Sequence, residues 1–334
     1  MQRKILNIGI VFYLFFYLPI ANADLDKARI VTSFTILEDL VNELGGKHVE
    51  VINLVPRNSD AHIYRPVPSD SIAIANADSV IFNGLGFEGW IIRLLDEARD
   101  ETEYVVATEG VEVLKRFGDT DPHAWQSFKN IRIYINNITD TLISMMPQHS
   151  QYFLDRRALY LLSVIELEDE LTNRLNEIPV SKRIVVTSHD AFGYLGREFQ
   201  IEFMAPQGLS LDAEASAADV ASVIDQIVER DVSALFLENI NNPKLLQMIS
   251  LESGVEIGGR LYSDALSELG GPAATYLNLM RHNMESLIKA TKNQKFSALI
   301  AVIITNNQLA PGIQLAKKYN IPIKVFDKKK FNKP

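Results

Sequence analysis

Gln148 to Ile178 contains neither Pro nor Gly and is bracketed by Pro147 and Pro179. That spacing predicts one unbroken helix of about 31 residues, roughly 46 Å long at ~1.5 Å per residue. Leu161, Val164, Leu167, Leu171, Leu175 and Ile178 recur at spacings of three and four, which gives the helix one apolar stripe. Asp155, Arg156, Glu166, Asp169, Glu170 and Arg174 take the opposite positions. No heptad pattern continues beyond this helix, so a strut packed across two bodies is expected rather than a coiled coil. On either side the chain alternates short apolar strands with helices. The expected fold class is α/β, with two parallel-sheet (β/α) lobes joined by one long backbone helix and a ligand held between them.

Met1 to Ala23 begins with Arg3 and Lys4, continues as an apolar run from Ile5 to Ile20 and ends in Ala21-Asn22-Ala23. These are the three parts of a secretory signal peptide, with cleavage expected before Asp24. The other reading is a transmembrane anchor, for which a run of about 16 residues is short against the ~20 that a bilayer needs. The chain has no Cys. Disulfides, thiolate metal ligands and a lipid-modified N-terminal Cys are thereby excluded, and a soluble monomer in the periplasm is expected.

Charge divides the chain further. Its 33 basic and 42 acidic residues leave a net charge of −9. Residues 292–334 run against this, with nine Lys, no Arg and Asp327 as their one acid. The pattern is an acidic body carrying a basic appendage, and the acidic body argues against nucleic acid and favours cations. The expected boundaries are a signal peptide at 1–23, an N-terminal lobe at 24–147, the linking helix at 148–178, a C-terminal lobe at 179–291 and the tail at 292–334.

Polar residues collect where strands are expected to end. In the first lobe strands are predicted at 29–32, 49–55, 79–83 and 104–107. His62 lies in the loop after the second, and His123 in the turn Asp121-Pro122-His123 before a helix at 128–146, where Asp121 is placed to cap it. In the second lobe strands are predicted at 183–187, 201–204, 234–237 and 256–262, with helices at 213–229 and 243–253. His189 and Asp264 follow the first and last of these strands. Ligands of open α/β sheets bind outside the carboxyl ends of the strands, and all four residues fall there.

Three imidazoles and one carboxylate form a tetrahedral environment suited to zinc, with manganese acceptable to the carboxylate. Glu238, beside another strand end, is the candidate for orienting an imidazole. His48, His149 and His282 read as structural or solvated. Gly84-Leu-Gly86-Phe-Glu-Gly89 after a strand, with Glu109 about twenty residues on, formally matches a dinucleotide fingerprint. It falls on the third strand, however, and a strand-to-helix turn is the plainer reading.

Asp60-Ala-His62-Ile-Tyr64-Arg-Pro66, Asn83-Gly-Leu-Gly-Phe-Glu-Gly-Trp90, Asp121-Pro-His123-Ala-Trp125, Ser188-His189-Asp-Ala-Phe192 and Tyr262-Ser-Asp264-Ala-Leu266 resemble, in order, the zinc and manganese substrate-binding proteins of bacterial ABC importers. The resemblance covers about residues 28–282. It implies a binding protein that captures its ion between two lobes and delivers it to a membrane permease, with His62, His123, His189 and Asp264 as metal ligands, two from each lobe. Ala61 stands where many members have Pro. Lys115 to Asp121 is short and lacks the His-rich loop of some zinc-specific members, while His189 replaces the carboxylate of manganese specialists. Zinc is therefore expected ahead of manganese. The enzyme alternative, a zinc hydrolase, would need an open fourth position with a bound water, which Asp264 would close.

The tail resembles something else. Residues 284–292, 297–307, 310–318 and 321–327 are similar to an early section of glycinamide ribonucleotide formyltransferase, in the order helix, strand, helix, strand. The phosphate loop and the catalytic section of that family are missing, so formyl transfer is not expected. A fusion or frameshift between about Met280 and Thr291 would explain the junction, and an extra β-α-β cap on the second lobe is the other reading.

Overall fold

The computed structural model of the protein describes residues 27–96, 102–116, 118–230, 232–292, 303–305, 313 and 323–325. The expected signal peptide and most of the basic tail lie outside them. In chain order the first lobe comprises β1 (Ala28–Thr32), α1 (Thr35–Gly45), β2 (Val49–Asn53), α2 (Pro68–Ala75), β3 (Ser79–Phe82), α3 (Ile91–Leu95) and β4 (Glu103–Val106). All pairings in its sheet are parallel, in the order β2-β1-β3-β4. Every residue of β3 is buried, as an inner strand covered on both faces must be. α1 stops at Gly46, whose φ of 54° is a left-handed conformation that glycine adopts without strain.

A short antiparallel hairpin, β5 (Lys115–Arg116) with β6 (Asp119–Thr120), then leads to α4 (Phe128–Met145). The cap of α4 is Ser127, whose side chain accepts from the Asn130 amide. Asp121 does not cap it, because a 3-10 turn at Ala124–Gln126 intervenes.

The strut is α5 (Ser150–Leu175), with 26 residues instead of 31. A 3-10 turn over Pro147–His149 takes its expected first turn. At the other end the guanidinium of buried Arg183 donates to the carbonyls of Leu175, the last helical residue, and Ile178 just past it. Its buried face is Phe153, Tyr160, Val164, Leu167, Leu171 and Leu175, with Leu161 only half-buried. The charged residues expected opposite are exposed or partly so.

The second lobe comprises β7 (Ile184–Val186), α6 (Gly193–Phe199), β8 (Glu202–Met204), α7 (Ala217–Glu229), β9 (Ala234–Glu238), α8 (Lys244–Ser253) and β10 (Ile257–Leu261). Its sheet is also parallel, in the order β10-β9-β7-β8. α7 begins at Ala217 and not at 213, because Ser216 and Asp219 bond each other's amides in a capping box. α9 (Tyr276–Lys292) then returns against α5 and α1. One continuous core runs from the first sheet through α4, α5 and α9 into the second lobe, and a smaller one lies around Val186, Val223, Leu235 and Leu246. In the tail β11 (Ile303–Thr305) and β12 (Ile323–Val325) pair in parallel with each other and join neither four-stranded sheet. Among the described residues no helix is long and apolar enough to cross a membrane.

Candidate metal centre

β2, β7 and β10 each empty into the cleft between the lobes, and the turn after β6 reaches it as well. His62, His123, His189 and Asp264 meet there, with one donor atom from each lying within 4.8 Å of all the others. His62 Nε2 is 3.2 Å from His123 Nε2. The carboxylate of Asp264 is 3.8 Å from His62 Nε2, 3.6 Å from His123 Nε2 and 3.3 Å from His189 Nε2. His123, His189 and Asp264 are fully buried, and the side chain of His62 is 6% exposed. Both oxygens of Asp264 and Nε2 of His189 are buried without a hydrogen-bond partner. Buried polar atoms are rarely left so, and these converge on one point, which fits a cation held among them.

The imidazoles are aimed by carboxylates behind them. Asp121 Oδ1 accepts from the His123 amide at 3.0 Å and lies 2.8 Å from His123 Nδ1. Asp60 Oδ1 accepts from the His62 amide at 2.7 Å. The two Asp-x-His turns are thus the same device, an Asx turn that presents the ring. Glu238 closes β9 with Oε2 2.6 Å from His189 Nδ1, while its other oxygen accepts from the amides of Ser188 and His189 at 2.8 and 3.0 Å. With Nδ1 of His123 and His189 facing a carboxylate, Nε2 is left for a ligand.

Electrostatics follow from the burial. Burial lowers His62 to about 3 against the pull of Asp264, so its ring is neutral. Burial alone would also lower His189, but the carboxylates of Glu238 and Asp264 outweigh it and hold the ring well above its ordinary value. Asp264 is driven up by burial and down by His189, His123 and His62, and the imidazoles win. Burial, then the nearby Asp264 charge, raises Asp60 to about 7.

The glycine-rich turn is closed upon itself. Glu88 accepts from Ser33 Oγ at 2.5 Å and from the amides of Asn83 and Gly84 at 2.7 and 3.1 Å. Donors that a phosphate would need are thus taken by the chain's own buried carboxylate, and the plainer reading of that motif stands.

Residues 30–290 match the family described as the periplasmic zinc-uptake complex component A. The chain belongs to that family. It is 32% identical over 266 residues to the manganese-binding lipoprotein MntA of Halalkalibacterium halodurans, across 79% of this chain and 89% of that one. The iron-binding protein YfeA of Yersinia pestis is 30% identical over 268 residues, across 79% and 86%. Among solved structures it is similar to the periplasmic zinc-binding protein TroA from Treponema pallidum, with a TM-score of 0.76 and 27% identity over 79% of this chain and 99% of that one. The manganese-bound periplasmic metal-binding protein from Candidatus Liberibacter asiaticus gives 0.74 and 27% over 79% and 100%. The zinc-uptake family is one of binding components for transport and not of enzymes, so the hydrolase reading is set aside.

Two features of this family member were not read from its sequence. Asp60 was seen as a loop residue and Asp121 as a helix cap, although the repeated Asp-x-His spacing was a signal for both. Arg116 pairs with Asp190 across the cleft at 2.8 Å, which no local pattern announces. Of the two readings of His48 and His149, the structural one holds: His48 is buried and stacks on His149 at 3.8 Å. His282 is partnered too, by the Arg260 carbonyl at 2.9 Å.

Proposed function

We propose that the protein is an extracytoplasmic solute-binding protein that holds one divalent transition-metal ion between its lobes and delivers it to the membrane permease of an ABC importer. His62, His123, His189 and Asp264 bind the ion. The observation that carries this is the convergence of four donor atoms within 4.8 Å, with a buried carboxylate that has no hydrogen-bond partner. The preferred ion is zinc. Relatives are named for manganese, iron and zinc, so the donor set carries the choice, and three neutral nitrogens with one oxygen suit zinc better than manganese.

Residues 1–23 are read as a cleaved secretion signal. Several relatives are named lipoproteins, but this chain has no Cys to carry an N-terminal lipid, so a soluble monomer is proposed. Residues 24–147 and 179–291 form the two metal-binding lobes about the strut at 148–178. The tail from 292 is proposed as an appendage, supported by β11 and β12 pairing only with each other among the described residues.

The mature protein is expected to bind about one equivalent of zinc. At a free concentration ~1,000-fold above Kd, binding adds about 4 kcal/mol to stability. For a chain of this size that is a rise in melting temperature of roughly 6 °C. His189→Ala should abolish it. Metal analysis with melting in zinc, manganese and chelator checks this, and a protein that binds neither ion would sink the reading. Glu238→Gln keeps an oxygen for the Ser188 and His189 amides but removes the charge facing His189 Nδ1. Its zinc affinity is expected to fall by about 10- to 100-fold in a calorimetric titration.

A further inference from the structure

Arg116 sits on the hairpin of the first lobe, and Asp190 follows His189 in the second. The guanidinium donates from Nε to Asp190 Oδ2 at 2.9 Å and from Nη2 to Oδ1 at 2.8 Å. The side chain of Asp190 is 4% exposed and that of Arg116 33%. Most surface ion pairs contribute little, but a bidentate pair with one buried partner is of the stronger kind.

The contacts around the pair all hold the hairpin against the second lobe. The Leu114 amide donates to Tyr194 Oη at 3.0 Å, and that hydroxyl donates to the Asp121 carbonyl at 3.0 Å. Gly193 lies flush against the hairpin, where a Cβ would fall 2.5 Å from Asp121 Oδ2 and 3.1 Å from Leu114 Cδ2. The Asp190 amide donates to the Gly208 carbonyl at 3.0 Å. Asp190 therefore links a metal-ligand loop, the segment at Gly208 and the opposite lobe. A cavity of about 290 Å³ lined by His62, Arg116, Asp119, Pro122, Gly208 and Ser210 opens beside the pair. It reaches His62, the most exposed of the four ligands.

We propose that the Arg116–Asp190 pair is the interlobe latch that sets how long the ion stays bound, acting through lobe closure without touching the ion. This rests on the reading of His62, His123, His189 and Asp264 as the metal site. An ion enclosed by both lobes leaves when they part. Parting them breaks two charge-assisted hydrogen bonds and strands a carboxylate in a nearly buried position. Such pairs act mainly on dissociation rates. Arg116 is thus a positioning residue whose removal lowers the barrier to opening.

The test is stopped-flow release of zinc from the loaded full-length mature protein into a chromogenic chelator. Arg116→Ala is expected to release zinc about tenfold faster, equivalent to ~1.4 kcal/mol, with association no slower. Arg116→Lys keeps the charge but loses the fork, and should lie between wild type and Arg116→Ala. It also serves if the alanine variant folds poorly. Adding Asp190→Asn to Arg116→Ala should accelerate release no further. Release by Arg116→Ala and Arg116→Lys within twofold of wild type, or additive effects in the double variant, would overturn the latch. Wild type and His189→Ala run beside them: a wild type that binds no zinc defeats the metal-site reading itself, whereas normal binding with unchanged release defeats the latch alone.

Discussion

Asp264→Asn is expected to weaken zinc binding by at least roughly a thousandfold, about 4 kcal/mol, while leaving the metal-free protein folded. Asp264 is the one anion among the four converging donors. The carboxamide offers a single weak oxygen and points an NH₂ at imidazole nitrogens that should face the ion. Two effects act on the metal-free fold. The substitution removes a buried carboxylate that lacks a hydrogen-bond donor, but one whose charge the neighbouring imidazoles stabilise in the fold. It also removes the negative charge that helps hold His189 above its ordinary value, so that ring loses its proton more readily and stays buried as a neutral group. The metal-free melting temperature should therefore fall modestly, because the imidazoles lose the charge that Asp264 supplies, and the zinc-dependent rise should vanish. Calorimetric titration beside melting in chelator measures both. An affinity within tenfold of wild type would remove Asp264 from the ligand set.

Much of this site is written in local chemistry. Parallel strands end in loops, the ends of a parallel sheet are where its ligands collect, and a His or Asp set there is visible in a single sequence. The strut was legible for the same reason, since prolines at 147 and 179 bound a stretch with no helix breaker. Its ends were not. Pro147 begins a 3-10 turn rather than the α-helix itself, and the other end is fixed by Arg183, which reaches Leu175 and Ile178 from beyond the helix. Tyr160 replaces Leu161 in the buried stripe because the surfaces of α1, α4 and α9 choose the face. The cap of α4 was misread because nothing local marks the 3-10 turn at Ala124–Gln126. Asp121 was thereby freed to hold His123. The Arg116–Asp190 pair joins residues 74 apart, and that kind of contact exists only once both lobes are in place.

The metal-free protein is expected to lose stability as pH rises from about 5 to 8, and Asp39 on α1 is a main cause. Its carboxylate accepts from the Tyr276 amide at 2.8 Å, at the start of α9, and is 8% exposed. Burial raises its pKa to about 7, with the Glu43 and Glu38 charges adding to the effect and the Tyr276 amide and Arg57 opposing it. An unfolded Asp titrates near ~3.9. The folded state therefore binds the proton more tightly, and the stability this contributes is complete below about pH 4 and is lost as pH rises through about 7. Glu88 acts in the same direction, raised to about 7 by burial. From pH 5 to 8 each group removes on the order of 3 kcal/mol at ~1.36 kcal/mol per pH unit, or roughly 4–5 °C of melting temperature. Asp39→Asn keeps an oxygen for the Tyr276 amide and has nothing to ionise. Relative to wild type it should gain several degrees between pH 5 and pH 8, with both proteins kept metal-free in chelator. Parallel melting curves for the two proteins across that range would refute it. The carboxylate joins α1 of the first lobe to α9, which packs on β10 of the second. The energy Asp39 loses at high pH is therefore lost from the joint between the lobes, on which the proposed binding of an ion between them depends.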